Sequence, residues 1–333
     1  MNRNNVTIYD VAAKAGVSAA TVSRVVNNRP GVNKQTKARV KQVLEECHYV
    51  PDVTARSLVY QSSKMIGILI SDIRTTHHTD AVYYIERMLA PMGYCCLIFN
   101  TGTDEQEQVH NIEILGQRKV EAAILIGSIY QNEAVKAAIS NYLPHVPVIL
   151  LNGYINLPNV YGIVADEMEG ISNCVQLMAN KGKNHVVYVY DHDTPSGRSK
   201  CQGFKKGVGL YYEGQTPLMI KTDGTHDGAY ATLKKLMLEH PETDGIVFAD
   251  DRLALIGLRC LTDMKISVPK QVAVIGVNNS QYAKTCIPTL TSLDNMIYDL
   301  SLIAVRNMQS LMQGERVSRR MMIYSEVVER EST

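Results

Sequence analysis

The stretch TIYDVAAKAGVSAATVSRVVN, Thr7 to Asn27, constrains the fold more than any other part of the chain. It spells two short helices joined at a glycine, with one face apolar and the other polar. Thr7 and Asp10 have the spacing of a capping box, in which hydroxyl and carboxylate satisfy free N–H groups reciprocally. Ile8, Val11, Ala12 and Ala15 recur at i, i+3, i+4 and i+7, which makes one buried helical stripe. Gly16 falls where the first helix must end, in a left-handed conformation that most side chains avoid. Ser18 is placed to cap a second helix whose Val22, Val25 and Val26 pack back on the first. At about 100° per residue, Ala20, Arg24 and Asn27 point away from that packing. This is the layout of a helix-turn-helix offering its second helix to a DNA major groove. An ordinary helical hairpin with a solvated outer face is the bland alternative.

A third helix follows, with Asn33 as its cap and Val40, Val43, Leu44 and Cys47 closing a three-helix core. Next comes YVPDVTARSL, residues 49–58, where Pro51 breaks the preceding helix and can start another. A helix of roughly eight residues does not persist alone, because nucleation is costly below about 12–15 residues. The segment is therefore either a helix that forms only when held or a plain linker.

The motifs T-I-Y-D-V-A, A-G-V-S and T-V-S-R-V-V-N, together with V-V-E-R-E-S near the C-terminus, resemble the lactose/galactose-repressor family of regulators over essentially the whole chain. The resemblance implies a hinge helix that orders in the minor groove, with Leu58 as a wedge and Ala55 one turn earlier. It also implies base readout by Arg24, methyl contacts from Ala19 and Ala20, and phosphate contacts from Thr7, Tyr9, Ser18, Thr21, Ser23 and Asn27. Asp52 departs from the family's usual Asn at the hinge start. A carboxylate caps as well but repels phosphate.

Charge supports the nucleic-acid reading. Residues 1–60 carry nine Lys and Arg against four Asp and Glu, and the remainder carries 25 against 29. Positive charge thus gathers where phosphate contacts need it, in an excess modest enough to favour a dimer. A length of 333 residues suits two or three domains, and 45% apolar with 20% charged residues is ordinary for a globular protein. No apolar run has membrane length and the start lacks a signal-peptide core, so a cytoplasmic protein without membrane contact is expected. The seven cysteines include no C-x-x-C pair and read as reduced core residues.

From Met65 onward, apolar β runs (65–71, 94–100, 122–127, 147–152, 185–191, 244–249, 272–277) alternate with amphipathic stretches (79–92, 104–118, 132–142, 167–181, 225–240, 251–263). Such alternation means parallel sheets flanked by helices, and two consecutive sets mean two Rossmann-like lobes. The fold expected is an all-α helix-turn-helix headpiece plus an α/β core of two Rossmann-like lobes, similar to a periplasmic binding protein. Boundaries are expected at 1–50 for the headpiece, 51–63 for the hinge and 64–333 for the core. Lobe 1 would comprise about 64–165 and 294–321, and lobe 2 about 166–293 and 322–333. Helix 296–313 would return to the first lobe.

Ligands of open α/β sheets lie beyond the carboxyl ends of strands. The loop after the first strand offers Asp72, His77 and His78. Family members often stack an aromatic at the position of His77. The two adjacent histidines do not face one way on a helix, which argues against a metal, and a solvent-facing pair is the alternative. By the resemblance, Asp166, Lys200 with Arg198 beside it, Asp250 and Asn278 fall at ligand positions. Lys200 stands where the family has Arg, and so lacks its bidentate fork. Asp250 stands for Asn or Ser, and Asn278 for an acidic residue. With no Trp and three Phe, ring stacking falls to His or to Tyr130, Tyr154, Tyr282 and Tyr298, each of which is otherwise simple packing.

The function expected is ligand-gated repression. A homodimer would grip a near-palindromic double-stranded operator and respond to a small-molecule effector, such as a sugar, in the cleft. A regulator controlled by a protein corepressor is the alternative. An enzyme is disfavoured, because the chain has no G-x-G-x-x-G, P-loop or G-x-S-x-G motif. No cofactor is expected. No heptad tail after Thr333 would join dimers into tetramers.

Overall fold

The computed structural model describes residues 6–49 and 62–333, and the chain divides into two units between Ser63 and Lys64. The hinge residues Ala55 and Leu58 lie outside the described residues.

The N-terminal unit is built on α1 (Ile8–Ala15), α2 (Ala19–Val26) and α3 (Lys34–Glu46). Val11, Val22 and Val40, one from each helix, are fully shielded and form the centre of its core. Burying such branched side chains contributes roughly 1.5–3 kcal/mol each, which lets helices of two turns persist.

The second unit holds two sheets. Lobe 1 uses β1 (Met65–Ile70), α4 (Thr76–Leu89), β2 (Cys95–Asn100), α5 (Glu105–Gln117), β3 (Ala122–Ile126), α6 (Glu133–Tyr142), β4 (Val148–Leu151) and β5 (Val160–Asp166). Lobe 2 follows with α7 (Glu167–Asn180), β6 (Val186–Tyr190), α8 (Pro195–Tyr211), β7 (Leu218–Lys221), α9 (His226–Glu239), β8 (Gly245–Phe248), α10 (Asp251–Asp263), β9 (Ala273–Val277), α11 (Gln281–Thr285) and β10 (Thr291–Asp294). The chain then returns through α12 (Ile297–Met312) and β11 (Arg320–Tyr324) to lobe 1, and ends with β12 (Glu326–Val328) in lobe 2.

Strand order is β11-β5-β4-β3-β1-β2 in lobe 1 and β12-β10-β9-β8-β6-β7 in lobe 2. Every pair is parallel except β10 with β12. Helices α4 and α12 cover one face of the first sheet, and α5 and α6 the other. That double cover is why β3 and β4 read as unbroken apolar runs rather than alternating ones.

Several elements differ from the expectation. Strands β5, β7, β10, β11 and β12 and helix α8 were not among the predicted ones, and β12 brings an antiparallel edge. The last crossover falls at Ser325, because β11 pairs with β5. Residues 322–324 therefore belong to lobe 1 rather than lobe 2. Among the described residues, no helix is long and apolar enough to cross a membrane.

Candidate DNA-reading headpiece and ligand cleft

Local chemistry sets the headpiece geometry. The Thr7 backbone N–H donates to Asp10 Oδ2 at 2.8 Å, and the Thr7 hydroxyl donates to the same oxygen at 2.7 Å. The Asp10 N–H returns a bond to Thr7 Oγ1, closing the capping box. These bonds hold the Asp10 carboxyl below its usual range. Gly16 ends α1 at φ 63°, where its N–H reaches the carbonyls of Ala12 and Ala13. Ser18 caps α2 by accepting the Thr21 N–H at 3.2 Å, and its hydroxyl lies 2.9 Å from that of Thr21.

This arrangement leaves Ala20 and Arg24 exposed on the outer face of α2, with Tyr9 73% exposed nearby in sequence on α1. Two expected DNA contacts are placed differently. Ala19 is half-buried against the three-helix core, so its methyl packs inward. Asn27 is also half-buried. It caps α2, and its amide donates to Ser23 O at 2.8 Å and reaches Ser23 Oγ at 3.4 Å. The amide nitrogen of Asn27 is thus spent on its own helix, and its buried Oδ1 finds no partner among the described residues. Ser23 and Thr21 are half-buried, while Thr7 and Ser18 are exposed.

In the second unit, strand ends from both lobes converge on a cavity of about 930 Å³. Lobe 1 contributes Asp72, His77 and His78 from the loop after β1 and the start of α4, Ser128 after β3, and Asn152 after β4. Lobe 2 contributes Asp191 after β6, Lys200 on α8, Asp250 and Arg252 at the start of α10, and Asn278 after β9. The two lobes touch across the cleft, where the Ser196 N–H donates to Ser128 Oγ at 3.0 Å.

Each cleft group has a definite environment. Arg74 clamps Asp72 through Nη2 and Nε at 2.7 and 3.0 Å, which lowers the Asp72 carboxyl to about 2. His78 Nδ1 lies 3.1 Å from the Asp72 carbonyl, and burial lowers its pKa. Asn152 accepts the Ala165 N–H through Oδ1, so its Nδ2 faces His77 Nε2 at 3.3 Å. That nitrogen must accept, which fixes the His77 proton on Nδ1. Burial holds the His77 pKa down at about 3, so this ring is a neutral imidazole.

Lys200 donates to the Ala249 carbonyl at 3.2 Å and pairs with Glu167 Oε1 at 3.5 Å. Arg252 grips Asp191 Oδ2 at 2.5 Å and donates to the Gly224 carbonyl at 2.9 Å. Asp250 caps α10 by accepting the Leu253 N–H at 2.7 Å. Its neighbour Asp251 is tied to the Ser280 N–H and the Ser292 hydroxyl, and burial pushes its carboxyl up to about 6.

Three predicted groups leave the cleft wall. Asp166 does not line it; its carboxylate caps α7 by accepting the Glu169 N–H at 3.1 Å. Arg198 turns outward to Asp193, donating to that residue's carbonyl at 3.0 Å and carboxylate at 3.2 Å. Of the four tyrosines only Tyr282 lines the cavity. Tyr130 is buried with its hydroxyl 2.8 Å from that of Thr101, Tyr154 reaches Asn156, and Tyr298 packs edge-on to Tyr84. Glu167, Asp191, Arg252 and Ser128 were missed. The repeated D/E-rich starts of α7 and α10 were the available signal for the first and third. Among the described residues, no group of three His, Cys, Asp or Glu is arranged to hold a metal.

Beneath the cleft floor the crossovers are laced together. Asn295, 1% exposed, donates from Nδ2 to Glu167 Oε1 at 3.3 Å and Asn278 Oδ1 at 3.1 Å. Its own oxygen accepts the Ser325 hydroxyl at 3.1 Å. Glu167, Asn295 and Ser325 sit on the first, second and third crossovers. One buried amide therefore joins all three to two cleft residues.

Comparison with known proteins agrees with this architecture. The model for "Bacterial regulatory proteins, lacI family" matches residues 7–52, and that for a "Periplasmic binding protein-like domain" matches residues 175–333. An "HTH-type transcriptional regulator" of Lachnoclostridium phytofermentans is 31% identical, over 98% of this chain and 99% of its own length. The lac repressor dimer bound to operator and the anti-inducer ONPF superposes with a TM-score of 0.88 at 23% identity, covering 99% of each chain. The transcriptional regulator CelR in complex with cellobiose gives 0.72, also at 23% identity, over 98% of this chain and all of that one. Relatives of this kind are regulators rather than enzymes. A helix-turn-helix that leaves Arg24 free at its outer face, joined in one chain to a two-lobed core around a polar cleft, thus belongs to the lacI family of bacterial regulatory proteins: the chain is a DNA-binding transcriptional regulator.

Proposed function

We propose that this protein represses transcription by gripping a near-palindromic operator as a homodimer, and that a small polyhydroxylated metabolite in the inter-lobe cleft controls the grip. The observation that carries this reading is the polar cavity of about 930 Å³ whose wall is shared by both lobes and whose Glu167 and Asn278 connect to the crossovers. Side-chain amides, hydroxyls and imidazoles converge there, and a polyol offers the matching donors and acceptors. CelR carries cellobiose and the lac repressor carries ONPF, which supports a carbohydrate as the class.

In this reading α2 lies in the major groove with Arg24 reading base edges, while Thr7, Tyr9, Ser18, Thr21 and Ser23 fix register on phosphates. Leu58 is the minor-groove wedge and Ala55 its neighbour, by the family resemblance. Closure of the lobes around the effector biases the headpieces, and a coupling of about 1–3 kcal/mol gives a 5–150-fold change in operator affinity. The regulator works in the cytoplasm, where its DNA is.

The test has two arms. Binding sites are selected from fragmented genomic DNA with the full-length protein, and sugar-dependent release is followed by fluorescence anisotropy. Palindromic sites with release by one sugar class support the proposal. Release only by a protein from the same cells would replace the effector with a protein corepressor. Asymmetric sites bound by a monomer would remove the dimer.

A further inference from the structure

The charge inventory of the cleft narrows the effector class, given the reading above that this cavity is the effector site. Every cationic side chain that reaches the wall already has a carboxylate. Arg74 is bound to Asp72 at 2.7 Å, Lys200 to Glu167 at 3.5 Å, Arg252 to Asp191 at 2.5 Å and Arg259 to Asp263 at 2.9 Å. An arriving anion would therefore meet cations whose charge is already balanced by an adjacent carboxylate, which repels it in turn.

Carboxylates, by contrast, remain in excess. Asp250 lines the cavity at the mouth of α10 with its side chain 25% exposed. Only its Oδ1 is used, as the helix cap. Its Oδ2 accepts no hydrogen bond among the described residues. Of the two cations that bear on it, Arg252 stands 3.9 Å away and is committed to Asp191, and Lys200 is committed to Glu167. The partial positive charge of the α10 N-terminus is already answered by Asp250 itself. Burial raises the Asp250 pKa first and the negative charge of nearby Asp191 adds to it; the second of these, unlike the first, favours a positive group beside Asp250.

We propose that the effector is an amine-bearing polyol, such as an amino sugar, whose ammonium group pairs with the free Oδ2 of Asp250 while its hydroxyls meet the neutral polar groups of the opposite wall. His77 suits that wall, being a neutral imidazole that adds no like charge. A hydroxyl already makes a charge-assisted bond to this carboxylate, so the advantage of the amine is the ion pair it adds, expected to be worth about tenfold in affinity.

The experiment is calorimetry of the full-length protein at neutral pH with matched sets: glucosamine, glucose and glucuronate, then the galactose and mannose series. The expected result is binding of the amine at least about tenfold tighter than its hydroxyl counterpart, and no heat from the acid. Asp250→Asn keeps the helix cap, because Asn caps as well as Asp. It should lose that preference and bind amine and hydroxyl sugars alike, with an unchanged melting temperature reporting an intact fold. A neutral or acidic sugar that binds as tightly as the amine and releases operator would overturn this inference while sparing the proposed function. Equal weakening of amine and neutral sugars by Asp250→Asn would overturn the pairing. Silence from the whole panel would overturn this inference and leave the proposed function to its own operator-release test.

Discussion

Asn295 Nδ2 lies 3.3 Å from Glu167 Oε1, where the second crossover meets the first behind the cleft floor. Both residues are buried, at 1% and 5% exposure. The bond joins two crossover segments, and Glu167 also carries Lys200 on its cleft side. A ligand that draws on Lys200 therefore pulls on the same carboxylate that Asn295 holds.

Replacing that amide separates its structural role from its signalling role. Asn295→Leu keeps the approximate volume but strands Glu167, Asn278 and Ser325 without their partner. Leaving buried polar groups unsatisfied costs about 1–3 kcal/mol, so a lower chemical-denaturation midpoint is expected. Effector affinity measured by calorimetry should change little, whereas effector-dependent release of operator should shrink by several-fold. A variant that is destabilised yet releases operator normally would show that the amide is mere packing.

Helix α8 makes a second, purely structural prediction. Its sequence PSGRSKCQGFKKGVGLY carries four glycines and has poor helical propensity. It is helical because α7 lies so close. A Cβ at Gly203 would stand 2.3 Å from the Met168 carbonyl oxygen, and one at Gly207 would stand 2.6 Å from Val175 Cβ. Backbone cannot yield as a flexible side chain does. Gly203→Ala should therefore destabilise the core by about 1–3 kcal/mol despite the better propensity of alanine. Gly209→Ala, which meets nothing within 4 Å, should be neutral or slightly stabilising. Thermal melts of the two variants side by side are sufficient.

These elements show what a sequence can display. Strands such as β1 and β3 are legible because doubly covered strands must be apolar at every position. Strand β10, with the sequence TSLD, is not, since its Ser292 is there to hold Asp251 and only the fold reveals that partner. Helix α8 was hidden for the reason just given: its glycines answer a neighbour 30-odd residues away in the chain, across a turn that periodicity cannot see. The headpiece was the clearest part, because caps and stripes are local. Even there, Asn27 lies on the outward arc by angle alone, yet being at the helix end it turns back to close the last turn. At the first crossover a single position decides the role. Asp166 takes the cap and Glu167 takes the cleft, and one residue of register is finer than pattern reading resolves.

Acid should weaken the core through His77. Burial lowers its folded pKa to about 3 from an ordinary 6.5, so on acidification the unfolded chain takes up a proton first. Stability is then lost as pH falls below about 6.5 and continues to fall toward the folded value. Asp251 works in the opposite sense. Its carboxyl is raised to about 6 from 3.8, so the native state holds a proton that the unfolded chain has released, and stability falls as pH rises through that window. Comparing wild type with His77→Asn cancels the Asp251 contribution. Between about pH 7 and about pH 5.5 the wild type should lose roughly 1 kcal/mol more than the variant in urea denaturation. Parallel pH profiles for the two proteins would mean that His77 titrates alike in the folded and unfolded chains, so that burial does not hold the ring neutral.

Arg24 offers the sharpest test of DNA readout. It is exposed on the outer face of α2, while Val22 and Val25 of the same helix carry the core, so truncating Arg24 should leave the headpiece folded. A guanidinium in the major groove grips guanine O6 and N7 together, and each such pair discriminates by about 1–3 kcal/mol. Arg24→Ala should flatten preference at one base pair in each half-site and leave the others intact. Arg24→Lys keeps the charge but not the planar fork, so it should retain affinity for phosphate while recovering little of the base preference. A scan of single-base operator variants against the three proteins, at one fixed salt concentration, distinguishes these outcomes. Uniform weakening at every base pair would instead place Arg24 on the phosphate backbone and move sequence recognition to the small exposed face around Ala20.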